Sequence, residues 1–237
     1  GRHNERQAPE DRLQAVRVGN STSSYRRVLS DVPQGSVLGP ILFLIYINDL
    51  VDIFGSDLTV KLYADDAKIY TEISDIINVS ILQCGLHKLD DWAYEWQLSI
   101  AINKCSVLHI GKTNPQHNYS LQSVLLKDAT EATDLGITID HKLCFASHYT
   151  SIVKKAHQRS SLILRCFKCR DPSLLAKAFT VYVRPLLEYC SPVWAPVYMS
   201  DITLLESVQR RFTKRMSGMS GLSYLQRLQR IGLETLE

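Results

Sequence analysis

The chain has 237 residues, 45% of them hydrophobic, and a net charge of +3 at pH 7. That is enough apolar mass for one large or two small packed domains and too much for a disordered chain. The longest apolar run, Val37 to Ile47, contains Pro40, leads into Asn48 and Asp49, and is too short to cross a bilayer.

The opening Gly1-Arg2-His3-Asn4-Glu5-Arg6 lacks the apolar stretch of a signal peptide, and the absence of an initial Met reads as an excised fragment. The charge is unevenly spread. Residues 151–237 hold 14 Lys and Arg against 6 Asp and Glu, a balance of +8, and the preceding 150 residues balance at −5. A basic half beside an acidic one fits a polyanion partner plus a site that needs carboxylates, and equally a solvated basic helical surface. Six cysteines, at 84, 105, 144, 166, 169 and 190, lie within or beside apolar-periodic segments, the placement of buried free thiols. Cys166 and Cys169 have the spacing of half a zinc site, with no second pair to complete it.

In chain order, alternation at Leu13 to Val18 and around Tyr25 to Leu29 predicts one hairpin in a polar segment. Ser36 is a candidate cap for a helix through Leu50, with Pro40 in its first turn, where a missing N–H matters least. Leu58 to Ile73 alternates on either side of Ala64-Asp65-Asp66-Ala67, which predicts a hairpin with a carboxylate pair at its bend. Apolar residues from Ile76 to Trp96 recur at helical spacing. Leu98 to Ile110 and Asp134 to Asp140 each read as one strand, and Ile152–Phe167, Ser173–Leu187 and Ile202–Met216 as three helices. The change from strands to helices places a domain boundary near residue 147. The predicted class is α+β.

Two adjacent carboxylates at a tight bend repel each other unless a cation lies between them. Magnesium takes one or two carboxylates plus substrate phosphates, the requirement of two-metal nucleotidyl transfer. An Asp-Asp pair alone says little, but its context is specific. Leu62-Tyr63-Ala64-Asp65-Asp66 resembles the YADD box of reverse transcriptases. Val32-Pro33-Gln34-Gly35-Ser36-Val37-Leu38-Gly39-Pro40, followed by Tyr46-Ile47-Asn48-Asp49-Leu50, resembles the block that precedes it in polymerases of non-LTR retrotransposons, the jockey-like and CR1-like ones above all. Trp92-x-x-x-Trp96-x-Leu98, Lys104-Cys105, Asp134-Leu135-Gly136, His148, Val183-Arg184-Pro185, Trp194-x-Pro196, Leu205 to Thr213 and Tyr224-x-x-Arg227-Leu228 continue the likeness, which covers the chain from about residue 12.

The resemblance implies an incomplete polymerase palm over 1–147 and an all-helical thumb over 148–237. It implies RNA-directed DNA synthesis with Mg2+ or Mn2+, deoxynucleoside triphosphates, and an RNA template with a DNA primer, in an intracellular ribonucleoprotein found in cytoplasm and nucleus, with no membrane. Asp65 and Asp66 become metal ligands and catalytic residues. Gln34, Gly35 and Ser36, with Tyr63 and Ala64, are placed against the template base and incoming nucleotide. Lys104 takes the place of a lysine that protonates pyrophosphate. Lys154, Lys155, Arg159, Arg165, Arg210 and Arg211 become thumb cations that hold the duplex by its phosphates.

Three departures stand out. Asp31 occupies a position usually Gly, and Ala101 one commonly Asn. No strand-borne aspartate precedes Val32, and Asp11 in its charged surroundings does not replace it, so the chain is expected to be inactive alone. The alternatives are a non-catalytic nucleic-acid-binding remnant of a decayed or domesticated element, or an RNA chaperone like the intron maturases.

Overall fold

Alternation near the start of the chain yields paired ribbons rather than a single hairpin. In the computed structural model, which describes residues 13–27 and 37–236, β1 (Leu13–Gln14) pairs with β4 (Arg26–Arg27) and encloses the pair β2 (Arg17–Val18) and β3 (Ser21–Thr22). Helix α1 (Leu38–Ile47) follows and tightens into a 3₁₀ segment, Asn48–Ile53. Pro40 lies in its first turn, as expected, but no side chain caps it at Val37, and Ser36 falls outside the described residues. Of α1 only Ile47 is buried; Leu38, Ile41, Leu42, Leu44 and Ile45 are exposed.

Strands β5 (Thr59–Tyr63) and β6 (Asp66–Tyr70) form the expected hairpin. Helix α2 (Ile76–Glu95) starts at a capping box in which the Asp75 carboxylate accepts the N–H groups of Ile77 and Asn78. Gly85 lets α2 settle on the chain before it, since a Cβ there would stand 2.4 Å from Leu58 Cδ1 and 3.4 Å from Phe54 Cδ1. Trp92 and Ala93 complete a core with Ile47, Leu50, Phe54 and Leu58, and Val60, Leu62 and Ile69 of the hairpin pack on it. The Tyr46 hydroxyl donates to the Trp96 carbonyl, and the two rings meet edge to face at 5.0 Å.

The predicted strand from Leu98 to Ile110 shrinks to β7 (Ser106–Leu108), preceded by a 3₁₀ turn at Ile102–Lys104. After the small hairpin β8 (Ser120–Leu121) and β9 (Val124–Leu125), β10 (Lys127–Ala129) pairs with β7 in parallel. The predicted strand at Asp134–Asp140 is instead the bend and second arm of a hairpin. Strand β11 (Glu131–Asp134) reverses at Leu135-Gly136 into β12 (Ile137–Asp140). Both turn residues are left-handed (φ 45° and 86°), the turn whose twist suits a two-residue hairpin. The Tyr189 hydroxyl donates to the Leu135 carbonyl at 3.2 Å and secures it. All six sheets among the described residues are two-stranded.

The helical part comprises α3 (Ala146–Cys166), α4 (Pro172–Tyr182), α5 (Arg184–Glu188), α6 (Ser191–Trp194), α7 (Met199–Thr213) and α8 (Tyr224–Ile231). The helix expected over Ser173–Leu187 is split at Val183, because Pro185 opens a new first turn rather than continuing the old one. Val153, Ala156, Phe179, Val208 and Phe212 lie in one core with Ile137 of β12. The tail is bound down: the Arg184 guanidinium donates to the Glu234 and Thr235 carbonyls, and the buried Glu206 carboxylate accepts the Leu236 N–H at 2.9 Å and the Tyr224 hydroxyl.

The chain divides into two compact units, Gly1–Ile100 and Ala101–Glu237. Strands do give way to helices at Ala146, close to residue 147. The second compact unit also takes in the β11–β12 hairpin, which shares the helices' core through Ile137. The cysteines do not follow the expected burial. All are free, and only Cys105 is even partly covered.

His148 links hairpin to helix. It is 2% exposed, its Nδ1 accepts the Thr138 N–H at 3.3 Å, and its ring lies 5.2 Å from that of Trp194. Burial, with the charge of Lys155, holds its pKa below the ordinary value. The folded state therefore favours neutral His148. Stability from this group is present above the unfolded value of about 6.5 and is lost as pH falls below it, by at most about 1.4 kcal/mol per pH unit. Urea unfolding between pH 7.5 and 5.5 should show a loss that is smaller in His148→Asn. Equal pH slopes would exclude the assignment. Leu135→Asn should stabilise the protein by about 1 kcal/mol, because Asn tolerates the left-handed region better than Leu. A lower urea midpoint would refute it.

Candidate functional site

The carboxylate pair owes its position to hairpin register. Pairing runs Thr59 with Tyr70, Val60 with Ile69, Lys61 with Lys68, Leu62 with Ala67 and Tyr63 with Asp66. Val60, Leu62 and Ile69 face the core, so the alternate residues Tyr63, Asp66, Lys61, Lys68 and Tyr70 share the exposed face. Ala64 and Asp65 form the two-residue turn between the arms. Ala64 has φ 50°, a left-handed position that Gly usually fills. The turn thus projects Asp65 at its apex and Asp66 at the mouth of β6, opposite the Tyr63 ring, with all four residues exposed.

Such a turn offers oxygen donors only, the chemistry of a hard divalent cation. Among the described residues no group of three or more His, Cys, Asp and Glu side chains is placed to hold a metal ion. That result also leaves Cys166 and Cys169 without the partners a zinc site needs. Tyr63, Ala64, Asp65 and Asp66 are brought together, whereas Gln34, Gly35 and Ser36 lie outside the described residues. Lys104 belongs to the second unit and is not on a strand. It ends the 3₁₀ turn, its N–H donating to the Ala101 carbonyl at 2.9 Å, with its side chain exposed.

In the second unit the six expected cations separate. Lys154 and Arg165 of α3 and Arg211 of α7 line one groove of about 380 Å3, together with His157, Gln158 and Ser161. Lys155 and Arg159 are exposed and are not among the residues that line it. The Arg210 guanidinium instead lies 4.7 Å above the Tyr224 ring. The groove's members at 154, 157, 158, 161 and 165 follow helical spacing along one face of α3. That spacing is a signal in the sequence which attention to Lys and Arg alone passes over.

Residues 6–147 match the family model for reverse transcriptase (RNA-dependent DNA polymerase). The chain is 28% identical over 220 residues to the RNA-directed DNA polymerase from mobile element jockey of Drosophila melanogaster, covering 88% of this chain and 24% of that protein. It is 30% identical over 220 residues to the probable RNA-directed DNA polymerase from transposon BS of the same fly, covering 85% of this chain and 24% of that protein. The corresponding protein of the X-element is 25% identical over 219 residues, with 88% of this chain and 24% of that protein covered. The chain thus spans about a quarter of the length of these curated relatives. No solved structure matches it.

The left-handed φ at Ala64 makes a steric demand. Ala64→Val should cost about 1–3 kcal/mol, because a β-branched residue tolerates positive φ poorly. Ala64→Gly should stay within about 1 kcal/mol of the parent, relief of strain offsetting the freedom gained on unfolding. Urea midpoints give both values. A neutral Val variant would mean that the turn does not hold this geometry.

Proposed function

The chain belongs to the reverse transcriptase family, and on that footing we propose that it forms part of an RNA-directed DNA polymerase of a jockey-like non-LTR retrotransposon. Residues 1–147 act as part of the palm and residues 148–237 as the thumb. The observation that carries the reading is the β5–β6 turn, which presents Asp65 and Asp66 beside Tyr63 within the segment that matches the family.

Asp65 and Asp66 would hold Mg2+ or Mn2+, with water and substrate phosphates as further ligands. When bound, the cation supplies positive charge to the phosphoryl group in transfer. Among the described residues no third His, Cys, Asp or Glu side chain is placed to join them. By the family's motifs, Tyr63 and Ala64, with Gln34, Gly35 and Ser36, would serve template base and incoming deoxynucleoside triphosphate, and Lys104 would be the residue that protonates pyrophosphate. Lys154, Arg165 and Arg211, with Lys155 and Arg159 beside them, hold the RNA–DNA duplex by its phosphates, which fits the balance of +8 over residues 151–237. Arg210 is reassigned to the Tyr224 stack. The enzyme works inside the cell, in a ribonucleoprotein. A second reading, binding without catalysis, draws on the basic balance of residues 151–237 alone.

The test is a jockey polymerase whose matching segment is exchanged for this chain. The 237-residue chain alone should give no primer extension, and the chimera should extend. Asp65→Asn in the chimera should lower turnover by at least about 100-fold, because metal-held charge contributes several kcal/mol to the transition state. Its affinity for the hybrid should change little. Near-normal turnover in that variant would reduce Asp65 to a turn residue. Robust extension by the 237-residue chain would show that the upstream ligand is not required.

A further inference from the structure

The groove between α3 and α7 is more than a basic face. Its walls carry Lys154, His157, Gln158, Ser161 and Arg165 from one helix and Arg211 from the other. A narrower cleft on the same helix pair is lined by His157, Ser160, Ser161 and Arg211, with Arg215 and the apolar Leu164, Val208 and Phe212. The Ser160 Oγ there is buried and has no hydrogen-bond partner among the described residues. Among those residues, no carboxylate pairs with Lys154, Arg165, Arg211 or Arg215 within ion-pair distance. Several like charges gathered around one half-buried imidazole repel one another, and an anion between them would relieve that repulsion.

We propose that this groove is a seat for a single phosphate group, with Lys154, Arg165 and Arg211 supplying charge and His157 a proton-dependent donor. The inference rests on the thumb reading for its natural ligand, a backbone phosphodiester of the duplex, and a free phosphate ion offers the same chemistry. Gln158 and Ser161 add neutral donors to the wall. The charged groups that line the groove and cleft with His157 are Lys154 and Arg165 on its own helix, Arg211 on α7 and Arg215 just beyond it. Burial first, then Arg211 and Arg215, keep the His157 pKa below the ordinary value in the free protein. A seated phosphate offsets part of that positive charge and raises the pKa. By linkage, acidification must then tighten phosphate binding, and the tightening fades as pH rises above the bound-state pKa.

The experiment uses the whole 237-residue chain in two arms. In the first, a fluorescein-labelled RNA–DNA hybrid is titrated by anisotropy at pH 6 and pH 8 at constant ionic strength. In the second, the His157 ring resonance, identified by its loss in His157→Asn, is followed against pH with and without inorganic phosphate. Arg165→Ala with Arg211→Ala should weaken hybrid binding about tenfold or more. Lys155→Ala with Arg159→Ala, the same change in charge, should have the smaller effect expected of screened contacts, about threefold or less. His157→Asn should abolish the tightening at pH 6. Phosphate should raise the His157 pKa by about one unit, equivalent to tenfold tighter binding of the protonated form.

If hybrid binds tightly, yet the two double variants behave alike and phosphate leaves His157 unmoved, the seat is excluded and the thumb reading stands. If hybrid does not bind, yet phosphate raises the His157 pKa, the seat is upheld for free phosphate and the thumb reading falls. If neither ligand acts, both fall.

Discussion

A connection of two residues leaves a hairpin almost no freedom, and the placement of the carboxylates depends on that restriction. Once Val60, Leu62 and Ile69 commit to the core of the first unit, every alternate residue must face outward. With Tyr63 opposite Asp66, only Ala64 and Asp65 remain to turn the chain. A slip of one residue would bury Lys61 and Lys68 and expose the apolar set, so the core enforces the register without touching the acids. The packing that does so includes Trp92 and Ala93 of α2, far along the chain from the turn. The same logic acts in the second unit, where Ile137 fixes the face of β12 against the helices.

The α3–α7 pair solves a different problem. Ala156 and Val208 are fully buried and Phe212 nearly so, at 0%, 0% and 1% exposure, so small and apolar contacts bring the helices together. Close approach of the apolar stripes brings the neighbouring basic stripes close as well. Helical spacing alone sets Lys154, His157 and Arg165 on the margin of α3, and Arg211 follows directly before Phe212 on α7. Core packing thus produces convergence of charge, at an electrostatic cost that falls with salt.

What could be read in advance followed periodicity. The β5–β6 hairpin, α2 and the long helices announced themselves because a single face of each meets a core. Features set by tertiary contact did not. Leu135-Gly136 looks like the interior of a strand, and only the reversal between Asp134 and Ile137, secured by Tyr189, makes it a turn. Val183 sits in a continuous helical pattern, yet Pro185 breaks it. The cysteines were misjudged because proximity to an apolar pattern is not membership of the buried face. Motif resemblance singles out Asp65 and Asp66, and the hairpin places them at an exposed two-residue turn. Charge counting found the basic helices but could not sort Arg210, turned onto Tyr224, from Arg211, turned to the groove. Nor could it include His157, which is neutral in such a count.

Residues 234–236 tie the helices of the second unit together through backbone groups. Glu206 is 4% exposed, and one of its carboxylate oxygens takes its hydrogen bond from the backbone of Leu236. A chain cut before Glu234 would leave that oxygen buried without its donor. Leaving a buried acceptor without its donor costs about 1–3 kcal/mol. Arg184 and Gln209 would lose their carbonyl acceptors in the same stroke. The packing of α7 against α8 would loosen, because Glu206 and Gln209 of α7 and Tyr224 of α8 share these bonds.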